Sequence, residues 1–187
     1  MSYLKKIKYE IVLKDALLVI RGCPKCGRKT QFKSTKKFRV NANGGRVDVW
    51  LIYQCEECKH TLNLAIYERQ KVSSIPKKEY DDFMANEEQL AEAYGKNVHL
   101  FRKNKAEIDL EGLDYSLVKV HEIVENSDLG EQVIITIYNP CQLKIRPEKL
   151  AAQALGLSRS QIKSLMESGE VKLNKGPKSI QCERSRL

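Results

Sequence analysis

The sequence predicts an α+β protein, with β-hairpins in its N-terminal part, a mixed helical and β middle, and a helix–turn–helix–strand segment at its C-terminal end. Three observations support this prediction: two Cys-x-x-Cys pairs that flank a hairpin pattern, an uneven distribution of charge, and helix-terminating residues between positions 146 and 175. With 187 residues, the chain is long enough for one domain or for two or three small ones. Its composition, 42% hydrophobic and 30% charged, is typical of a globular protein and not of a disordered one.

Charge divides the chain into three segments. Residues 1–75 contain 16 Lys and Arg against 6 Asp and Glu, residues 76–140 contain 7 against 14, and residues 141–187 contain 10 against 4. The net charge of +9 therefore comes from the two ends, and we predict one domain or module in each segment. The longest early apolar run has five residues, at 16–20, which is too short for a membrane span or a signal-peptide core. We therefore expect a cytoplasmic protein without a membrane partner.

The first segment, 1–75, has the pattern of antiparallel strands. An extended run at 29–40 leads into Asn-Ala-Asn-Gly-Gly at 41–45, and both Asn-Gly and Gly-Gly favour the backbone of a tight hairpin turn. Apolar residues then alternate along 47–53, and a third extended run follows at 61–67. These runs predict a hairpin and a further strand.

The middle segment, 76–140, begins with a helical pattern. Apolar residues recur at helical spacing from 79 to 94, although Glu87 interrupts them, and Gly95 is a suitable helix end. Two extended runs then predict a second hairpin. Its strands are 117–123 and 132–138, and its turn is at 126–130.

The last segment, 141–187, contains the clearest helical pattern. We predict two helices and a short strand, at 147–155, 158–167 and 171–173. Gly156 ends the first helix, and Ser158 with Gln161 has the spacing of a capping box that starts the second. We expect the basic tail from Lys175 onwards to be loose.

The two cysteine pairs predict a metal site. Each pair can form a tight turn with both sulfurs on one side, and the hairpin between the pairs brings the two turns together. Such an arrangement is typical of a zinc ribbon, with Zn²⁺ bound by Cys23, Cys26, Cys55 and Cys58. Four thiolates leave no open position on the ion, so we expect a structural and not a catalytic role.

Two other chemistries fit paired cysteines. A redox dithiol is disfavoured because such a pair opens a helix in an α/β unit, whereas these pairs flank a hairpin. A rubredoxin-like iron centre also uses four thiolates, and Cys-Pro-Lys-Cys-Gly at 23–27 is compatible with it. His60 lies close enough in sequence to replace one ligand, but with four cysteines available we expect it outside the ligand set.

Two resemblances extend these interpretations. One pattern comprises Cys-Pro-Lys-Cys-Gly at 23–27, Phe-Arg-Val-Asn-Ala-Asn at 38–43, Asp-Val-Trp-Leu-Ile-Tyr-Gln-Cys at 48–55, and Arg69. On this pattern the chain resembles an uncharacterised bacterial zinc-ribbon family described only as a domain of unknown function. The resemblance implies a bacterial cytoplasmic protein and no particular activity.

The second resemblance concerns the C-terminal segment. It is carried by Arg-Pro-Glu-Lys-Leu at 146–150, Gly156, Ser-Arg-Ser at 158–160, Leu-Met at 165–166, and Gly-Glu-Val-Lys-Leu-Asn at 169–174. These residues resemble the alpha-L RNA-binding motif of a small-subunit ribosomal protein, pseudouridine synthases and a tyrosyl-tRNA synthetase appendage. The resemblance implies an RNA partner, such as ribosomal or transfer RNA.

Cations in this segment are the candidate RNA-binding residues. We expect six of them on the outside of a small apolar core: Arg146, Lys149, Arg159, Lys163, Lys172 and Lys175. Structured RNA is recognised largely through shape and phosphate contacts, which such a surface supplies. The same residues could instead form an ordinary solvated face, and two short helices around a glycine also suit a DNA-binding helix–turn–helix. A further alternative is a protein-interaction adaptor with a partner on the acidic middle segment.

Aromatic residues and cations alternate in the first segment, a mixture that nucleic-acid binders use. They are Phe32, Phe38, Trp50, Tyr53, Lys33, Lys36, Lys37 and Arg39. The ordinary alternative is burial of these rings beneath the hairpin.

No sequence motif indicates catalysis. The chain lacks a phosphate-binding glycine loop, a nucleophile elbow and a histidine metalloprotease motif, and its three histidines are scattered. We therefore expect neither an enzyme nor a small-molecule substrate.

Overall fold

The computed structural model describes residues 3–126 and 131–186, and in these ranges strand residues outnumber helical residues. The strands are β1 (Tyr3–Leu13), β2 (Val19–Cys23), β3 (Arg28–Asn43), β4 (Arg46–Cys55), β5 (Thr61–Lys71), β6 (Glu107–Ile108), β7 (Tyr115–Asn126), β8 (Glu131–Tyr138), β9 (Val171–Lys175) and β10 (Ser179–Arg186). The α-helices are α1 (Lys77–Ala85), α2 (Glu88–Gly95), α3 (Val98–Lys103), α4 (Pro147–Leu155) and α5 (Arg159–Glu167). The prediction of an α+β fold is therefore wrong, because the described chain is mostly β and is built on two five-stranded sheets.

The chain divides into two compact units. Residues 1–12 and 115–187 form the terminal unit, and residues 13–114 form the central unit. This division does not coincide with the boundaries of the three consecutive segments that charge suggests. Across the described ranges, no helix combines the length and apolar character that a membrane crossing requires.

The sheet of the terminal unit has the strand order β7-β1-β8-β10-β9. Strand β1 pairs in parallel with β8, so that Ile7 lies opposite Ile135, and β10 pairs antiparallel with both β8 and β9. The predicted hairpin of 117–123 with 132–138 is wrong, because β1 lies between β7 and β8. Residues 127–130 of its expected turn lie outside the described residues.

The C-terminal segment is part of this sheet. Helices α4 and α5 pack against each other and against β9. The expected independent helix–turn–helix–strand module is a wrong prediction, because β9 is an edge strand of the five-stranded sheet. The tail beyond Lys175, expected to be loose, supplies β10, where Ile180 and Cys182 are buried.

The sheet of the central unit is antiparallel in order β5-β4-β3-β2-β6. Its predicted hairpin is confirmed, since β3 and β4 pair and Gly44 and Gly45 adopt the positive φ that their turn requires, 57° and 75°.

The two faces of the central sheet differ in burial. Strand β4 alternates between a buried face and a half-buried one. On the buried face, Tyr53 packs edge-on against Phe101 of α3, and Phe38 against Phe83 of α1. The half-buried face carries Trp50, Ile52 and Gln54, and we call it the outer face.

Candidate metal centre

The four cysteines lie in two turns at one end of the central sheet. Cys23 ends β2 and Cys55 ends β4, while Cys26 and Cys58 follow in the turns after these strands. Both turns have the same backbone hydrogen bond: the amide of Gly27 donates to the carbonyl of Cys23 at 2.9 Å, and that of Lys59 to the carbonyl of Cys55 at 3.0 Å.

Left-handed residues close both turns. Gly27 has φ 70° and Lys59 has φ 61°, and these values turn the chain back so that each pair presents both sulfurs to the same point. The second turn is also attached to β3, because the amide of Glu56 donates to the carbonyl of Gln31 at 3.0 Å. Sheet pairing and turn geometry together bring the two pairs to each other.

The sulfur positions fit a tetrahedral metal ion. The sulfurs of Cys23 and Cys58 are 3.4 Å apart, those of Cys26 and Cys55 are 3.8 Å apart, and all four lie within 4.8 Å of one another. A tetrahedral ion with metal–sulfur bonds of about 2.3 Å separates its ligand sulfurs by roughly 3.8 Å. A disulfide would bring two of them to about 2.05 Å, and none of the four is in a disulfide. The structure therefore shows a four-cysteine cluster able to hold a metal ion.

Hydrogen bonds make the cysteines chemically unequal. The hydroxyl of Thr30 lies 3.2 Å from the sulfur of Cys55, and this contact lowers the pKa of Cys55 to about 6. A hydrogen bond with the Cys58 sulfur, together with burial, raises the pKa of Cys26 above its ordinary value, because both favour the neutral thiol. A divalent cation among the sulfurs replaces the thiol protons and favours the thiolate form of all four.

His60 is not one of the clustered ligands. The cluster within the described residues consists of four cysteines, and the imidazole of His60 is outside it. The contribution of His60 is through its backbone, whose carbonyl accepts a hydrogen bond from the amide of Cys55 at 2.9 Å.

Sequence reasoning missed Thr30. This residue is buried, with 6% of its surface exposed. It lies two positions before Phe32 on β3, so strand alternation places both side chains on the buried face. Thr30 and Phe32 alternate with polar residues in the sequence, but the predicted strand at 29–40 did not specify which of its side chains face the core.

Four of the six predicted RNA-binding residues surround one cavity in the terminal unit. The cavity has a volume of about 540 Å³, and its lining includes Arg146, Lys149, Arg159 and Lys163. We call these four residues and their space the cationic cavity. Lys172 and Lys175 lie on β9, are exposed, and are not part of its lining.

Two carboxylates and an apolar residue also line the cationic cavity: Glu148, Glu167 and Met166. Cations outnumber carboxylates there, so the cavity has a positive balance. The ammonium group of Lys149 lies 5.4 Å from the ring centre of Tyr115, which holds this cation over a buried aromatic face. The arrangement can accept an anionic group such as a phosphate.

Comparison with known proteins gives one match. A family model described as a protein of unknown function (DUF1062) matches residues 40–176, which is more than half of the chain. The matched range includes Cys55, Cys58 and the cationic cavity, and it begins after Cys23 and Cys26. No curated protein and no solved structure matches the chain.

Proposed function

Because the chain belongs to this family of unknown function (DUF1062), its role has to be argued from its own geometry, and we propose that it is a zinc-binding protein that binds structured RNA. Ribosomal and transfer RNA are the proposed targets. The protein acts in this proposal by binding and not by catalysis. A cytoplasmic location is part of the proposal, since a reducing compartment keeps the four thiols available to the metal.

The metal of this proposal is a structural Zn²⁺ in a zinc-ribbon arrangement. Its support is the cluster of four sulfurs within 4.8 Å of one another, because zinc accepts four thiolates in a tetrahedron without any electronic preference. Four thiolates saturate the ion and leave no position for a reacting water. The ion therefore joins the two cysteine turns and stabilises the end of the central sheet.

Elemental analysis of the purified protein tests the metal. We expect one zinc per chain, and we expect the Cys55→Ser variant to lose it while a Cys141→Ser variant keeps it. Iron bound by four thiolates absorbs visible light whereas zinc does not, so a coloured protein with stoichiometric iron would overturn the assignment of zinc.

The observation that supports RNA binding is the convergence of four cations on the cationic cavity. Arg146 precedes α4, Lys149 lies within α4, and Arg159 and Lys163 lie on α5, so the two helices hold the charges at fixed positions. Rigid cations suit phosphates that a folded RNA presents at fixed spacing. The resemblance of residues 146–174 to the alpha-L motif favours RNA over DNA, and the exposed Lys172 and Lys175 extend the proposed surface.

A binding titration with transfer RNA at several salt concentrations tests this surface. We expect affinity to fall steeply as salt rises, because phosphate contacts release counterions. Reversal of two cavity charges, Arg159→Glu with Lys163→Glu, should weaken binding by more than about tenfold and flatten the salt dependence.

The matched control changes the same charge elsewhere in the terminal unit. Lys8→Glu with Lys178→Glu alters two exposed lysines that do not line the cationic cavity. This variant should bind within about twofold of the wild type. Equal affinity of the Arg159/Lys163 variant and the wild type would show that the cationic cavity does not bind RNA.

A further inference from the structure

A bulge in β3 brings cations together on the outer face of the central sheet. Lys33 lies opposite Gln54, and Lys37 lies opposite Ile52, so Thr35 and Lys36 between them have no pairing partner on β4. Since Ile52 and Gln54 are two residues apart on one strand, the bulge places Lys33 and Lys37 at neighbouring positions of one face.

Arg39 continues this row. It lies opposite Trp50, one further step of two residues along β4. The three cations of β3 therefore follow one another at intervals of about 6.5 Å along the sheet. This spacing is comparable with that of successive phosphates in an extended single strand of nucleic acid.

Beside the lysines is an open cavity of about 520 Å³. Six of the nine residues that line it carry an ammonium or a hydroxyl group: Lys33, Lys37, Lys59, Ser34, Thr35 and Thr61. The hydroxyl of Thr35 already donates to the carbonyl of Ile52 at 2.9 Å. Glu56 contributes a carboxylate, so three ammonium groups face one negative charge. Anionic oxygens find both charge and hydrogen-bond donors in such a lining.

Among the described residues, two of the three lysines that line this cavity have no partner for their ammonium groups. Lys36, at the bulge, turns away and binds Glu88 at 2.6 Å and Glu92 at 2.7 Å. Lys33 and Lys37, by contrast, have exposed side chains whose ammonium groups make no ion pair or hydrogen bond with the residues that the structure describes. The ammonium group of Lys59 donates to the backbone carbonyl of Glu56 at 3.1 Å.

Trp50 adds a surface for stacking. It is half-buried on the outer face, and the guanidinium carbon of Arg39 lies 5.9 Å from its ring centre. Phe32, Phe38 and Tyr53 are buried on the opposite face. Of the four aromatic residues that alternate with cations in the sequence, Trp50 is therefore the one whose ring lies on the outer face. Unstacked bases bind to aromatic rings and to guanidinium planes.

We propose that the outer face of the central sheet binds a single-stranded segment of RNA, with phosphates on Lys33, Lys37 and Lys59 and a base stacked on the Trp50–Arg39 pair. This site lies in the central unit and is separate from the cationic cavity. The inference rests on the proposed function, because it gives the RNA of that proposal an unpaired segment and a second point of attachment.

The test uses the intrinsic fluorescence of Trp50, which is the one tryptophan of the chain. Titration of the zinc-loaded protein with a short oligouridylate should quench this emission in a saturable way, since a stacked base contacts the indole ring. The Lys33→Glu with Lys37→Glu variant should require at least about tenfold more oligomer for half quenching. Unchanged emission at saturating oligomer, or equal titration curves, would overturn the proposal.

The matched control is Lys77→Glu with Lys105→Glu. It reverses two exposed lysines of the same unit that lie outside the strands and do not line the cavity, and it should titrate within about twofold of the wild type. All four substituted lysines are exposed, so the Lys33/Lys37 and Lys77/Lys105 variants should both have the melting temperature of the wild type. A second variant, Trp50→Ala, should weaken binding of a dye-labelled oligomer by about tenfold.

The two proposals fail in different ways. If the outer face is not a site, transfer RNA binding still depends on Arg159 and Lys163, while Trp50 emission and the Lys33/Lys37 variant are unaffected. If the cationic cavity is not a site, the Arg159/Lys163 variant retains transfer RNA, while the oligouridylate still quenches Trp50.

Discussion

Thr30 illustrates how one buried hydroxyl can influence the whole cysteine cluster. Its hydroxyl contacts the sulfur of Cys55 at 3.2 Å and favours the thiolate, which is the form that binds a metal. We expect Thr30→Val to weaken metal affinity about tenfold, as loss of a partner of a metal ligand does. Competition with a chelator of known affinity measures this.

The control for Thr30 is the same substitution on β8. Thr136 is half-buried in the terminal unit, and Thr136→Val leaves the cysteines untouched. It should compete for metal like the wild type. Equal metal affinity for Thr30→Val and Thr136→Val would show that the hydroxyl does not support the cluster.

Tyr53 makes a similar single contact in the core of the central unit. Its ring is fully buried, and its hydroxyl donates to the carbonyl of Leu17 at 3.0 Å. Tyr53→Phe leaves this carbonyl without its partner, so we expect a loss of about 1–3 kcal/mol in the free energy of unfolding. Urea denaturation of the metal-loaded protein measures the loss. Tyr138→Phe, at a side chain with 43% exposure, should cost nothing measurable, and a similar cost for both variants would contradict the argument.

At the scale of elements, the end of α2 packs closely against the segment between β1 and β2. A methyl group on Gly95 would lie 2.6 Å from the Cβ of Ala16, and the Gly95 carbonyl accepts a hydrogen bond from the amide of Leu17 at 2.8 Å. Gly95→Ala must separate these segments, so we expect it to destabilise the protein by about 1–3 kcal/mol.

Gly22→Ala is the control, because a methyl group there meets no atom within 4 Å. Thermal unfolding should show a lower melting temperature for Gly95→Ala and no decrease for Gly22→Ala. A Gly95→Ala variant as stable as the wild type would mean that the contact adjusts without cost.

The start of α5 is stabilised by a capping box. The Ser158 hydroxyl accepts from the amide of Gln161 at 3.2 Å, and the Gln161 side chain accepts from the amide of Ser158 at 2.8 Å. Ser158→Ala should cost about 1 kcal/mol because an N-terminal amide loses its partner. Ser164→Ala, at an exposed position inside the same helix, should be neutral or slightly stabilising. Equal free energies of unfolding for Ser158→Ala and Ser164→Ala, measured by urea denaturation, would contradict a stabilising role of the capping box.

Elements that depend on local chemistry could be predicted. Helix α4 ends at Leu155 with Gly156 at φ 67°, and α5 follows its capping serine, as the sequence indicates. The continuous helix predicted over 79–94 is wrong, because Asn86 adopts φ 53° and separates α1 from α2. The interruption at Glu87 marked this break, but the apolar repeat on either side concealed it.

At the scale of the molecule, the sheets could not be predicted because their pairing is not local. Strand β1 pairs with β8, which lies more than a hundred residues further along the chain. Nothing in the alternation of β8 identifies β1 as its neighbour, and a hairpin with β7 satisfies the same pattern. The cysteine cluster was predictable because metal ligation restricts which turns can meet. The cationic cavity forms only where α4 packs on α5. The sequence therefore identified its four cations as candidate binding residues but could not show that they line one cavity.

Metal ligation also predicts where the molecule opens first when the metal is removed. The sulfurs belong to the turns that follow β2 and β4, and without an ion these turns hold four adjacent thiols together. A ligand at a thousand times its Kd stabilises the folded state by about 4 kcal/mol, and chelation removes this contribution. Hydrogen exchange should therefore accelerate in residues 19–32 and 52–64, and added zinc should restore protection.

Strands β8 and β10 provide the internal reference for that experiment, since none of their residues belongs to the cysteine cluster. Their amides should exchange at similar rates before and after chelation. The Cys55→Ser variant should reproduce the chelated pattern without any chelator, which separates loss of the ion from effects of the reagent. Identical exchange in the metal-loaded and chelated protein would show that the cluster does not stabilise the central sheet, and the structural role of the ion would then have to be rejected.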